Sequence, residues 1–230
     1  MSRRSPAPPS VSRHPPRGAA AARASTRDGG QVRIIGGRWR GTRLDVADSP
    51  GLRPSGDRVR ETLFNWLMPA LPGARVLDLF AGTGVLGWEA LSRGAAHAVL
   101  VERDAALARR LRETCTRLSA QEQAHIVHDD ALAWLERGTA GAFDIAFVDP
   151  PFAQGLWQRA LPALARHLAP QAWVYVESPA DQAPAVPAAW ALHREGRTRE
   201  VRFALYRTAA GQGADTLPAP ATGSETASSP

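Results

Sequence analysis

Val76-Leu77-Asp78-Leu79-Phe80-Ala81-Gly82-Thr83-Gly84-Val85-Leu86-Gly87 is the stretch at which this chain passes from sheet to ligand site. Its apolar opening is too short for a helix and too hydrophobic for a surface loop, so it reads as a buried parallel strand. Gly82 and Gly84 then permit a tight turn in which backbone approaches a ligand with no Cβ in the way. A helix starting there turns its unpaired N–H groups toward that ligand. The pattern implies a nucleotide-like molecule.

Gly82-x-Gly84-x-x-Gly87 also satisfies the dinucleotide fingerprint, and Glu102 lies 20 residues beyond Gly82 at the end of a second apolar run. Two details point away from a nicotinamide cofactor. Phe80 and Ala81 separate the strand from the first glycine, where a dinucleotide loop has none. Asp78 interrupts the strand near its C-terminal end, and an acid there attracts an ammonium or sulfonium and repels a pyrophosphate. Asp78-x-Phe80-Ala81-Gly82-Thr83-Gly84 resembles the first motif of S-adenosylmethionine-dependent methyltransferases. The resemblance implies that these residues line the cofactor, with Glu102 on the ribose hydroxyls and Arg103 beside it. A plain strand-turn-helix is the alternative, but it seldom needs two glycines and a strand-end acid together.

The 230 residues allow one core domain with appendages, and 44% hydrophobic content is ordinary for a soluble globular protein. No apolar run approaches the roughly 18 residues of a membrane span. The single cysteine, Cys115, excludes an internal disulfide and a cysteine-based metal site, and no metal is expected. It reads as a small buried hydrophobe in a reducing cytoplasm. All 28 basic residues are arginine, and residues 1–75 hold 14 of them against 5 acids, while 76–230 hold 14 against 17. The positive field therefore belongs to the N-terminal third, where a phosphate-bearing partner should bind.

Four regions follow. Residues 1–30, rich in Pro, Ala, Ser and Arg, cannot bury enough surface to order themselves and read as a disordered basic arm. Their scarcity of acids also fits an organelle transit peptide. Residues 31–56 read as a small basic β-hairpin, 57–208 as the main domain, and 209–230 as a disordered tail. In the hairpin, Arg33, Arg38, Arg40 and Arg43 surround Trp39, a mixture suited to tracking a nucleic-acid backbone and stacking on bases. Alternatively, Trp39 packs on the core of a solvated edge.

Leu52 to Gly56 reads as a turn, with Ser55 or Asp57 capping a helix whose apolar face is Val59, Leu63, Trp66 and Leu67. Further on, the spacing predicts a crossover helix over 85–93, a strand over 98–102, a helix from the Asp104 cap to about Leu118, and a strand over 125–127. Asp129-Asp130-Ala131 follows that strand. Strand C-termini line the ligand crevice of such a sheet, and the resemblance implies that Asp130 accepts from the adenine amino group there, with Ala131 beside it. Either aspartate can equally cap the next helix, and one residue can do both. A strand over 143–148 runs into Asp149-Pro150-Pro151-Phe152, where two prolines stiffen a loop carrying an acid, a carbonyl and a ring. A helix over 155–168, a strand over 172–177 and an antiparallel pair, 190–194 and 200–206, complete seven strands.

Asp149-Pro150-Pro151-Phe152 resembles the active-site motif of methyltransferases acting on exocyclic or side-chain amide nitrogens. Arg53-Pro-Ser55-x-Asp57-Arg58-Val-Arg60 resembles the segment before the cofactor motif in one group of ribosomal RNA methyltransferases, which implies that Arg53, Ser55, Arg58 and Arg60 lie near cofactor or RNA. Together, over residues 32–207, these features resemble the RsmD-type 16S rRNA (guanine-N2)-methyltransferases. The fold so implied is α/β, a class I methyltransferase with a Rossmann-like seven-stranded sheet whose last two strands form a hairpin. The resemblance implies S-adenosylmethionine as methyl donor and a guanine of ribosomal RNA as acceptor, free or within a partly assembled small subunit. A cytoplasmic monomer with no membrane contact is expected. An adenine-N6 nucleic-acid methyltransferase uses the same loop, and a non-catalytic RNA-binding assembly factor is the reading from another class.

Overall fold

The computed structural model describes residues 30–46, 56–138 and 143–210. In chain order the elements are β1 (Gln31–Arg33), β2 (Arg43–Asp45), α1 (Asp57–Leu67), β3 (Arg75–Asp78), α2 (Val85–Ser92), β4 (His97–Glu102), α3 (Ala105–Arg117), β5 (Ala124–His128), α4 (Ala131–Arg137), β6 (Phe143–Val148), α5 (Trp157–Leu164), β7 (Leu168–Pro179), β8 (Trp190–Arg197) and β9 (Val201–Thr208). Seven strands form one sheet in the order β5-β4-β3-β6-β7-β9-β8. β5, β4, β3, β6 and β7 run parallel, while β9 is antiparallel to both β7 and β8. This is the expected class I sheet, with the terminal hairpin folded back so that its second strand inserts beside β7.

Both faces of the sheet are covered, which explains why β6 is apolar at five of its six positions. Val76, Ile145, Phe147 and Tyr175 point into a core shared with α1, α2, α3 and the β1–β2 ribbon. Their neighbours Leu77, Ala146, Val148, Val174 and Val176 point the other way, against α4 and α5. The strand order reverses at β3, whose partners are β4 on one side and β6 on the other. Loops leaving β3 and β6 at their C-terminal ends flank the crevice such a reversal creates.

Several boundaries differ from expectation. Gly56 occupies the N-cap of α1 without a side-chain bond, and Asp57 lies inside the first turn, where it pairs with arginines instead. Ser55 and Arg53 fall outside the described residues. The helix expected over 155–168 is shortened to Trp157–Leu164, because Gly155 is left-handed (φ 56°) and Ala165–His167 tightens into a 3₁₀ turn. The terminal hairpin turns at 198–200, because the strand expected to end at 194 runs on to Arg197. Thr198 Oγ1 accepts from the Val201 N–H at 3.0 Å, and the Glu195–Arg202 ion pair keeps both strands aligned past the expected turn. Arg202 is thereby buried, since β9 is an interior strand with no solvent face.

Candidate active site

The glycine turn is held by two carboxylates. Gly84 is left-handed (φ 73°) at the N-cap of α2 and offers no capping side chain. Asp78, at the end of β3, substitutes from across the turn by accepting the Gly87 N–H at 3.0 Å. Glu102, at the end of β4, accepts the Gly82 N–H through Oε2 and the Asp104 N–H through Oε1, both at 2.8 Å. Each Glu102 oxygen keeps a second lone pair, as a carboxylate holding two adjacent hydroxyls requires. A Cβ on Gly84 would lie 2.5 Å from both the Trp88 ring nitrogen and Leu111, so glycine is required there on steric as well as backbone grounds. The Trp88 Nε1–H is buried beside this turn without a hydrogen-bond partner among the described residues.

Asp78 is 3% exposed, and burial pushes its carboxyl up to about 7. The Gly87 N–H opposes that rise and the charge of Glu102 adds to it. A desolvated acid of this kind is stabilised by an arriving cation. Phe80, Ala81, Gly82 and Thr83 form the turn itself, with Ala81 bound to β4 through the Val101 carbonyl. At the end of β5, Asp130 Oδ1 caps α4 by accepting from Leu132 and Ala133 at 3.0 and 3.1 Å, while Ala131 is buried. Asp129 pairs with Arg137, whose hydrogen bond holds the Asp129 carboxyl below its usual range. Of the two aspartates, Asp130 is the cap. The donor set, one buried acid, one acid with paired lone pairs and a glycine turn, fits an amino-acid-bearing nucleoside such as S-adenosylmethionine.

Asp149 leaves the sheet beside this turn. Asp78 and Phe147 are register partners on β3 and β6, so the two loops depart from adjacent strands at the same level. Phe152 is 36% exposed and its ring lies 5.8 Å from that of Trp157, tilted 43°. Trp157 is fixed in turn by donating from Nε1 to the Glu177 carbonyl at 2.8 Å. Pro150 is buried and Pro151 exposed. Arg103, expected only in the cofactor site, donates to Gln154 Oε1 at 3.2 Å and so ties the C-terminal end of β4 to the 3₁₀ turn Phe152–Gln154.

Behind Asp149, Tyr175 donates its hydroxyl to Glu177 Oε2 at 3.1 Å, and both are buried. Burial, with the charges of Glu177 and Asp149, pushes the Tyr175 hydroxyl well above its ordinary value, so it remains a donor. Trp157 and Tyr175 were not legible as site residues. Only Glu177, the acid ending the strand expected over 172–177, was a signal.

The basic hairpin is divided by burial. Arg38, Arg40 and Arg43 are exposed on it, and Arg58 is exposed on α1. Arg33 is also exposed but pairs with Asp57 at 3.2 Å. Trp39 is half-buried against the core with the Arg38 guanidinium 4.0 Å from its ring centroid, so one face is already covered. Arg60 corrects the expectation of an RNA contact. It is fully buried, donating to the Arg33 carbonyl at 2.9 Å and pairing with Asp57 at 2.6 Å and Glu89 at 3.6 Å. Glu89, also fully buried, accepts the Ile35 N–H at 2.8 Å, and Ser92 receives the Trp39 N–H at 2.9 Å. The hairpin is thus bolted onto α1 and α2, with Val32, Ile34 and Leu44 in the shared core.

The family model described as conserved hypothetical protein 95 matches residues 32–207. Ribosomal RNA small subunit methyltransferase D of Escherichia coli K12 is 50% identical over 182 residues, covering 77% of this chain and 90% of that protein. The protein of the same name from Haemophilus influenzae is 43% identical over 182 residues, covering 77% and 94%. The solved yhhF protein of Escherichia coli is 48% identical with a TM-score of 0.71, covering 79% of this chain and 100% of that one.

Proposed function

This chain belongs to the family of the ribosomal RNA small subunit methyltransferase D proteins, and from that premise we propose that it transfers a methyl group from S-adenosylmethionine to the exocyclic N2 amine of a guanine in 16S ribosomal RNA. The observation that carries the reading is the pairing of β3 with β6, which sets the glycine turn next to Asp149-Pro150-Pro151-Phe152 at the sheet's reversal point.

Asp78, the 80–84 turn, Glu102, Arg103, Asp130 and Ala131 hold the donor, which supplies a methyl group on an electrophilic sulfonium. Asp149 and the Pro150 carbonyl accept the two amino hydrogens of the target, drawing its nitrogen lone pair out of conjugation with the ring. Phe152, braced by Trp157, stacks on the base. A carboxylate is too weak a base to deprotonate such an amine in advance, so the proton leaves during or after transfer. Most of the acceleration comes from positioning, worth roughly 7–11 kcal/mol in ideal cases. The base must be unstacked or flipped to reach the loop. Arg38, Arg40, Arg43 and Arg58 contact the RNA backbone, Arg33 adds a partly neutralised charge, and Trp39 offers one face. The enzyme acts as a cytoplasmic monomer on RNA that is free or in a partly assembled small subunit.

The test is Asp149→Ala. It should bind S-adenosylmethionine as the parent does and lose methyl transfer to undermodified small subunits; near-parental transfer would refute the clamp.

A further inference from the structure

The positive charge is not confined to the N-terminal ribbon. On α3, Leu107, Ala108, Leu111 and Cys115 are buried, and the outward positions carry Arg109, Arg110, Arg112 and Arg117 against one acid, Glu113. Arg109 is partly neutralised by Glu113 at 3.7 Å. Arg110 and Arg112 form no ion pair among the described residues. The helix joins the two regions already described. Just before its start, Arg103 reaches Gln154 on the turn that begins with Phe152. At its end, both terminal nitrogens of Arg117 donate to the Arg43 carbonyl of the ribbon at 3.1 Å, and Arg38 bonds Gln123 just beyond it. Thirteen residues at 1.5 Å each make a basic track of about 20 Å.

The opposite side of the sheet offers much less. Arg137 is paired with Asp129, and Arg166 is committed to the Leu135 and Glu136 carbonyls. Of the arginines on α4, α5 and the turn after it, Arg159 is left facing solvent.

We propose that RNA flanking the target base runs along the outward crest of α3, from the turn carrying Phe152 to the basic ribbon, with Arg110 and Arg112 reaching its phosphates from the two flanks of the helix. This rests on the RNA reading above and adds the path. Phosphate neutralisation is sequence-independent and releases counterions, so its signature is the salt dependence of binding.

The experiment compares protein-free 16S ribosomal RNA binding across a salt series for the parent, the Arg110→Gln/Arg112→Gln double variant, the corresponding double lysine variant, and Arg159→Gln. Two lost phosphate contacts on a single strand should flatten the log–log salt slope by about 1.4. Affinity at low salt should fall about tenfold, with the loss appearing in KM for RNA. Lysine should restore the slope, and Arg159→Gln should match the parent. An unchanged slope and KM in the glutamine variant, or an equal loss in Arg159→Gln, would overturn the path. Should the parent methylate neither protein-free 16S ribosomal RNA nor undermodified small subunits, the proposed function fails; should it methylate either one while the glutamine variant binds like the parent, only the path fails.

Discussion

Asp78→Asn tests whether the buried acid is there for a cation or for the fold. In the native state its carboxyl sits at about 7 against an ordinary 3.8, principally through burial. The native protein therefore keeps a proton that the unfolded chain releases as pH rises from about 4. Stability contributed by this group falls across pH 4 to 7 and is constant above that window. The difference corresponds to about 4 kcal/mol at most above pH 7. Asparagine retains an oxygen to accept the Gly87 N–H and removes that cost, so the variant should melt roughly 10 °C higher at pH 8 and differ little at pH 4. Binding should move the other way. A cationic ligand favours the carboxylate, so parental affinity for S-adenosylmethionine should tighten up to tenfold per pH unit between pH 5.5 and 7, whereas the variant should bind more weakly with a flat profile. Scanning calorimetry and titration calorimetry across that range read both quantities. Parallel pH profiles for the two proteins, or undiminished affinity in the variant, would show that Asp78 does not meet a cation.

Replacing Arg38 and Arg40 with glutamine should weaken RNA binding and flatten its salt dependence, because both lie exposed on the ribbon; filter binding at several salt concentrations measures this. Arg60→Ala should cost about 3–5 kcal/mol, since it leaves the fully buried Glu89 with one fewer cation, and a denaturant melt reads the loss. Its effect on RNA affinity of the folded protein should be small beside that of Arg38 and Arg40.

The sheet was legible because apolar runs of strand length alternate with helical periods, and because glycine and proline mark the two loops that matter. Terminal boundaries were less so. The turn at 198–200 depends on a cross-strand pair, Glu195 with Arg202, that spacing alone does not reveal. At the site, Asp78, Glu102 and Asp149 could be placed because each is an acid at a strand end. Arg60 misled for the same kind of reason: among arginines on a basic segment, nothing local distinguishes one that faces solvent from one that finds Glu89, 29 residues later, in the core. Phe152 was visible in its motif, whereas its support by Trp157 depends on how α5 returns to β7.

In the proposed function, the loop after β6 presents a guanine amine to a methyl donor seated on the turn after β3. Nucleoside analysis of undermodified small subunits, after incubation with the protein and labelled S-adenosylmethionine, tests it most directly. Labelled N2-methylguanosine is expected at one position of the 16S RNA, absent with Asp149→Ala. Label in N6-methyladenosine, or no label in the RNA at all, would contradict it.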